Sequence, residues 1–289
     1  MNSILECQEK LAAYYRLFIG DPAKLVQVRS TIHNQRREVE VIENDWNNYE
    51  ESLLDKRELP KSKSEFLSWY LMCEKKINEE IRFFVDYMRY KATAEQVAYY
   101  ICMEEMVDGS FDDLMAITQL GMPVNCKMVA AENYWDEMGN GDFCLVHTTM
   151  FKTSSNYMRK LISGRVELEL PSLECLMNGN ILLMWAVRRE FNVRLIGAMG
   201  LVEGSAPVRF GATTAAMERL NLPHEVVAYH KAHIKIDTRH SAAWFEHVLK
   251  HYADGGEDVI RELAIGVIVR YNIAIRYYKH MYASMRSVI

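Results

Sequence analysis

Breakers are scarce in this chain. Its 289 residues include 6 prolines and 14 glycines, about 2% and 5%, below the usual figures of about 5% and 7%. That scarcity argues against a turn-rich β architecture and for long helices. Cysteine pairs are missing as well. Cys7, Cys73, Cys102, Cys126, Cys144 and Cys175 are widely spread with no Cys-x-x-Cys among them, which argues against a cysteine zinc site. There is no basic surplus: 34 Lys and Arg against 39 Asp and Glu leave a formal charge of −5. The densest basic pair, Arg36-Arg37, sits among acids, so nucleic acid is not an expected partner. No uncharged run approaches the ~18 residues needed to span a bilayer; the most apolar stretch is Leu263 to Val269. The opening MNSILECQEK has no basic start followed by an apolar run, so no signal peptide is expected. The expected setting is reduced and cytoplasmic, with no membrane partner.

With 49% hydrophobic and 25% charged residues, the composition is that of a globular protein. The length allows two domains or one large helical domain. Ile4, Leu11, Tyr14, Tyr15 and Phe18, then Leu25, Val28 and Ile32, recur at helical spacing, with Asp21-Pro22 capping the second helix. Leu59–Ser64 reads as a polar connection, followed by a helix over 65–89. Thr93 caps a helix that runs through Glu104 to Ile117, and Gly121-Met122-Pro123 ends it. Further helices are predicted over 125–137, 142–163, 172–188, 193–203, 211–220, 223–252 and 257–287. Val166–Leu170 alternates like a strand, and its five residues predict an extended connection.

The residues that can carry chemistry fall into four groups. His233-x3-Asp237-x2-His240 places two imidazoles and a carboxylate on one helix face. Its apolar neighbours Ile234, Ile236, Ala242, Ala243, Trp244 and Phe245 suggest that the polar stripe faces inward. A buried carboxylate there needs a partner or a metal. The stretch from Glu132 to Gly141 ends a helix at Glu137, and Gly139 and Gly141 let the chain turn toward His147. Glu104 is in phase with Val97, Ile101, Phe111 and Met115, with Glu105 rotated to the polar edge. Glu203 follows a small-residue segment that permits close helix packing. Nitrogen and oxygen donors in this mixture suit iron or zinc, and iron when carboxylates abound. Glu-x-x-His and His-Glu-x-x-His are both absent, which disfavours a ferritin-like di-iron protein and a zincin. Against a metal site stands the plain reading of each group, in which the histidine stripe is exposed and the buried glutamates form structural ion pairs.

Taken together, Glu104 with Phe111-Asp112-Asp113-Leu114, Asn133 to Gly141, His147, Glu203 and His233-x3-Asp237-x2-His240 resemble the haem-oxygenase-like di-iron oxidases and oxygenases, over roughly residues 95–250. The resemblance implies an all-α, haem-oxygenase-like helical bundle with extra N-terminal helices. On that view the chain is a single helical domain over 1–289, with helices of 1–90 packed on a di-iron core at 91–255. Metal ligands would be Glu104, Glu137, His147, Glu203, His233, Asp237 and His240, with Glu105 the alternative first ligand. Glu104, His147 and His240 would hold one Fe(II), Glu203, His233 and Asp237 the other, and Glu137 would bridge. His230 is a candidate neighbour of the site. The implied activity is a non-haem di-iron oxygenase or oxidase that uses dioxygen as co-substrate to oxidise a small metabolite. That substrate is expected to be an amino acid or amine, undergoing N-oxygenation or oxidative C–C cleavage in a biosynthetic pathway. An electron donor and a homodimer are the other partners to expect. Arg188, Arg189, Arg194 and Arg209 are candidates to pair a substrate carboxylate. Two further readings are a cofactorless or thiamin-salvage-type enzyme of the same helical superfamily and a non-catalytic helical binding protein.

Overall fold

The computed structural model describes residues 3–164 and 171–287, so Val166–Leu170 lies outside the described residues. Among the described residues no strand forms, and the chain is a sequence of helices. They are α1 (Ile4–Phe18), α2 (Pro22–Ser52), α3 (Lys63–Glu80), α4 (Arg82–Tyr90), α5 (Ala94–Glu104), α6 (Phe111–Thr118) and α7 (Val124–Glu137). Then come α8 (His147–Ile162), α9 (Leu173–Val187), α10 (Asn192–Arg219), α11 (His224–Ala243), the single turn α12 (Lys250–Tyr252) and α13 (Glu257–Ser287). No helix among them is long and apolar enough to cross a membrane.

Local chemistry explains most starts. Ser3 with Glu6, Ser62 with Glu65 and Thr93 with Gln96 form reciprocal capping boxes that satisfy free N–H groups. Asp21 accepts from the Ala23 N–H, and Pro22 fills the first helical position. The packing then orders the helices. α9 is buried almost all round, from Cys175 to Ala186, and α10 packs between α11 and α13. At the α10–α13 crossing, a Cβ on Gly266 would lie 2.0 Å from the Arg194 carbonyl oxygen, so only glycine permits this approach. α1 lies against α9 and α2, and one apolar core takes in Leu11 of α1, Phe66 of α3 and Met285 of α13.

Four expected boundaries move. The helix predicted over 65–89 divides at Ile81, which has ψ near 1° and is fully buried; no breaker marks that position. The helix predicted from Thr93 to Ile117 stops at Glu104, because Asp108–Ser110 tightens into a 3₁₀ turn. The two helices predicted over 193–203 and 211–220 are one, with Pro207 inside it. Proline removes one backbone hydrogen bond there, but burial of both flanking segments holds the helix together. The helix predicted over 223–252 widens at Trp244–Leu249 into a π turn.

Candidate metal centre

Helix α7 supplies the framework. Asn133, Asp136 and Glu137 are spaced to share one helix face, and all three are buried. The chain then reverses through Gly139, whose φ is +62° and whose missing Cβ would meet the Leu145 carbonyl carbon at 2.5 Å. That turn carries His147 to the first position of α8, with its Nδ1 3.0 Å from Glu137 Oε2. Glu137 Oε1 faces the other way, 3.8 Å from His233 Nε2 on α11. One carboxylate thus stands between two imidazoles whose ring centroids are 4.4 Å apart.

Glu137, His147 and His233 form one triad of possible ligands, and Glu203, Asp237 and His240 form a second. Within each, the donor atoms lie within 4.8 Å of one another, and all six residues are buried. Helix α11 contributes three donors, to both triads: His233, Asp237 and His240 follow its 3.6-residue period inward, as expected.

Outer partners fix the donors. His233 Nδ1 is 2.8 Å from the Tyr229 carbonyl, which makes that nitrogen the donor and leaves the Nε2 lone pair, beside Glu137, free for a cation. His240 Nε2 is 2.8 Å from Asp136 Oδ2, so Nδ1 is the atom turned to the site, 3.7 Å from Glu203 Oε2. Asp136 is itself held by Arg239 and by Asn140. Asn133 Nδ2 donates to Glu203 Oε1 at 2.9 Å. Carboxylate–histidine pairs of this kind orient metal ligands in proteins. Asp136 and Asn133 lie in the predicted stretch but were not predicted as contributors. Their signal was their shared face with Glu137.

The electrostatics follow from burial. Burial pushes the Glu137 carboxyl up, but His147 and His233 outweigh it and hold it at about 2. Burial and the neighbouring Glu203 and Glu137 carboxylates drive Asp237 well above the usual range. Burial pushes His233 below its ordinary value, whereas Glu203 and Asp136 overcome burial and raise His240. Both nitrogens that face the carboxylates are buried, Nδ1 of His147 at 3.0 Å from Glu137 and Nδ1 of His240 at 3.7 Å from Glu203, and neither contact has good hydrogen-bond geometry. Imidazole nitrogens set against carboxylates without hydrogen-bond geometry are a donor set that fits a metal cation.

Glu104 and the grouping differ from expectation. Glu104 shares with Glu203, His233 and Asp237 the lining of a cavity of about 30 Å³. It belongs to neither triad: Tyr277 donates to one of its oxygens and Arg209 to the other. Glu105 lies on the surface and pairs with Arg159 at 2.7 Å. His240 stands with Glu203 and Asp237 rather than with His147, because seven residues of α11, about 10 Å of rise, separate it from His233 and Asp136 anchors it. His230 is buried among Phe151, Phe210 and Tyr229 with both ring nitrogens unpartnered.

Of the four arginines considered for a substrate carboxylate, only Arg209 lines the cavity. Arg188 pairs with Glu43, Arg194 with Glu51 and Glu262, and Arg189 donates to the Leu120 carbonyl. Asp108 was missed. It lies four positions after Glu104, lines the same cavity and sits 3.3 Å from Arg209. Burial, with the Glu104 charge, pushes it up to about 7 despite that guanidinium.

Comparison with known proteins agrees with this picture. No curated protein matches the chain. A protein from Shewanella denitrificans OS217, described as a domain of unknown function with a heme oxygenase-like fold, superposes with a TM-score of 0.58 at 13% identity. The match covers 76% of this chain and 93% of that one. A CADD-like protein of unknown function from Nostoc punctiforme PCC 73102 gives 0.53 at 16% identity, over 76% and 97%. These likenesses establish a haem-oxygenase-like helical fold. Residues 98–273, more than half of the chain, match the profile of a family described as iron-containing redox enzymes. The match spans every residue of both triads, and the chain belongs to this family of iron-containing redox enzymes.

Proposed function

We propose that the protein is a non-haem di-iron oxidase or oxygenase that uses dioxygen to oxidise a small metabolite. The observation that carries this reading is the pair of buried triads, Glu137–His147–His233 and Glu203–Asp237–His240. With Glu104 they make four carboxylates and three imidazoles, and the four carboxylates formally neutralise two divalent ions, which lowers the cost of burying them. Two ferrous ions would supply the electrons that dioxygen accepts. The chain's own residues do the positioning. The Tyr229 carbonyl and Asp136 set the tautomers of His233 and His240, and Asn133 holds Glu203. Phe111, Val202, Ala206, Phe210 and Tyr229 form the apolar part of a cavity lining that is otherwise polar and charged. The cavity, about 30 Å³, takes a particle the size of one or two waters, which suits dioxygen. The resemblance supplies the substrate class, an amino acid or amine oxidised at nitrogen or cleaved at a C–C bond in a biosynthetic pathway. It also supplies an electron donor and a homodimer, and the cysteine spacing supplies the reduced, cytoplasmic setting.

Anaerobic Fe(II) titration with metal analysis tests the reading. Two irons per chain are expected, followed by dioxygen consumption when air is admitted. Saturation below one iron per chain, or binding that survives the His233→Ala/His240→Ala double substitution, overturns it.

A further inference from the structure

Glu104 faces the same cavity as Glu203, His233 and Asp237 but is fully engaged by protein donors. Tyr277 Oη donates to Oε1, and Arg209 Nη1 donates to Oε2. The same Arg209 nitrogen lies 3.3 Å from Asp108 Oδ2. Glu104, Asp108, Arg209 and Tyr277 are all buried, with exposures of 3, 3, 8 and 1%. One guanidinium therefore serves two buried carboxylates. Removing it from both would strand charge in a low-dielectric site, which is strongly unfavourable. Removing it from one leaves it paired with the other.

We infer that Arg209 is a placeholder cation: it neutralises Glu104 until a metal takes that carboxylate, and Asp108 then keeps Arg209 paired. This rests on the di-iron reading above. Three features of the chain suit the exchange. Asp108 sits one turn beyond Glu104 because the helix tightens at Asp108–Ser110, which points both acids at one nitrogen. The Phe210 ring lies 4.0 Å from the guanidinium carbon and anchors it beside both acids. Pro207 stands between Glu203 and Arg209 on α10 and has no N–H for the Glu203 carbonyl, so one helix bond is missing beside the site. A metal entering the site gains Glu104, and the charge that Glu104 gives up at Arg209 is met by Asp108.

The placeholder differs from a fixed ion pair in its coupling. Fe(II) binding would be measured anaerobically by calorimetry at pH 7.5, without substrate or dioxygen. The proteins are the wild type, Asp108→Asn, Arg209→Gln and the Asp108→Asn/Arg209→Gln double variant. Asp108→Asn should weaken the second iron about tenfold, the lower end of outer-partner effects on metal affinity. Arg209→Gln should tighten it by a similar factor, and Asp108→Asn should have no further effect in that background, because no guanidinium remains to be kept paired. Additive effects, as simple through-space charge would give, overturn the proposal. If Arg209→Gln does not fold, the Glu104→Gln background replaces it. With Glu104 unable to ligate, Asp108→Asn should again leave iron affinity unchanged, and a further tenfold loss overturns the proposal. Wild-type protein that takes up less than one iron overturns the di-iron reading and this proposal together; two irons with additive variants overturn this proposal alone.

Discussion

The two walls of the site, the paired triads and the Glu104–Arg209 group, solve the problem of buried charge in different ways. On the wall built by the two triads, three donors are held by an outer partner that leaves the ligating atom free: the Tyr229 carbonyl behind His233, Asp136 behind His240 and Asn133 behind Glu203. On the α5–α10 wall, Glu104 and Asp108 are neutralised face-on by Arg209, and Tyr277 occupies the remaining Glu104 oxygen. The first wall could hold a cation that comes from outside. The second carries a cation of its own. The difference teaches that burial of a carboxylate alone does not identify a ready ligand; what matters is whether its partner binds behind the donor atom or on it.

The largest effect expected is on the first wall. Glu137→Ala should abolish detectable iron uptake, because its two oxygens face His147 and His233 separately and, among the described residues, it is the acid grouped with those two imidazoles. Metal analysis after anaerobic loading checks this, and retention of two irons would remove Glu137 from the site. Next comes Asp136→Asn, which keeps the shape but weakens the hold on His240 and should cost about 10–100-fold in iron affinity. If Asp136→Asn and Glu105→Ala weakened binding equally, the distinction between an outer partner and a surface acid would fail.

A smaller effect separates the walls by pH. An acid whose folded pKa lies above its unfolded value binds its proton more tightly when folded. Its contribution to stability is therefore complete below about pH 4 and lost as pH rises through the folded value. Asp108, raised to about 7, should make the protein prepared without iron lose on the order of a few kcal/mol between pH 4 and 8 relative to Asp108→Asn. Glu137, held at about 2, behaves oppositely: its contribution is present above about pH 4.5 and fades as pH falls toward 2. Urea unfolding of wild type and Asp108→Asn across this range measures the first effect, and parallel curves would refute it. The smallest effect is that of Glu105→Ala. Its exposed pair with Arg159 should be worth no more than about 1 kcal/mol, with iron stoichiometry unchanged.

Much of this was legible in one dimension. The capping boxes at Ser3, Ser62 and Thr93 and the Asp21-Pro22 start are local chemistry, and the structure uses all of them. The 4-then-3 spacing of His233, Asp237 and His240 follows from helix period, and the glycines after Glu137 mark the turn that delivers His147. Less legible were Ile81 and Pro207. The first divides a helix with no breaker in sight, and the second sits inside a helix it would be expected to end. In both places burial against neighbouring helices outweighs local preference.

The sequence by itself determined that the chain is helical, where most helices begin, and that the stripe of His233, Asp237 and His240 shares one helix face, because these depend on residues within a few turns of each other. Tertiary structure alone decided the grouping. It set His233 beside His147, tied His240 to Asp136 across 104 positions, and gave Glu104 to Arg209 and Tyr277, 105 and 173 positions away. Partners that distant leave no periodic trace in the chain, and the low-dielectric interior in which they meet makes each of those pairings matter.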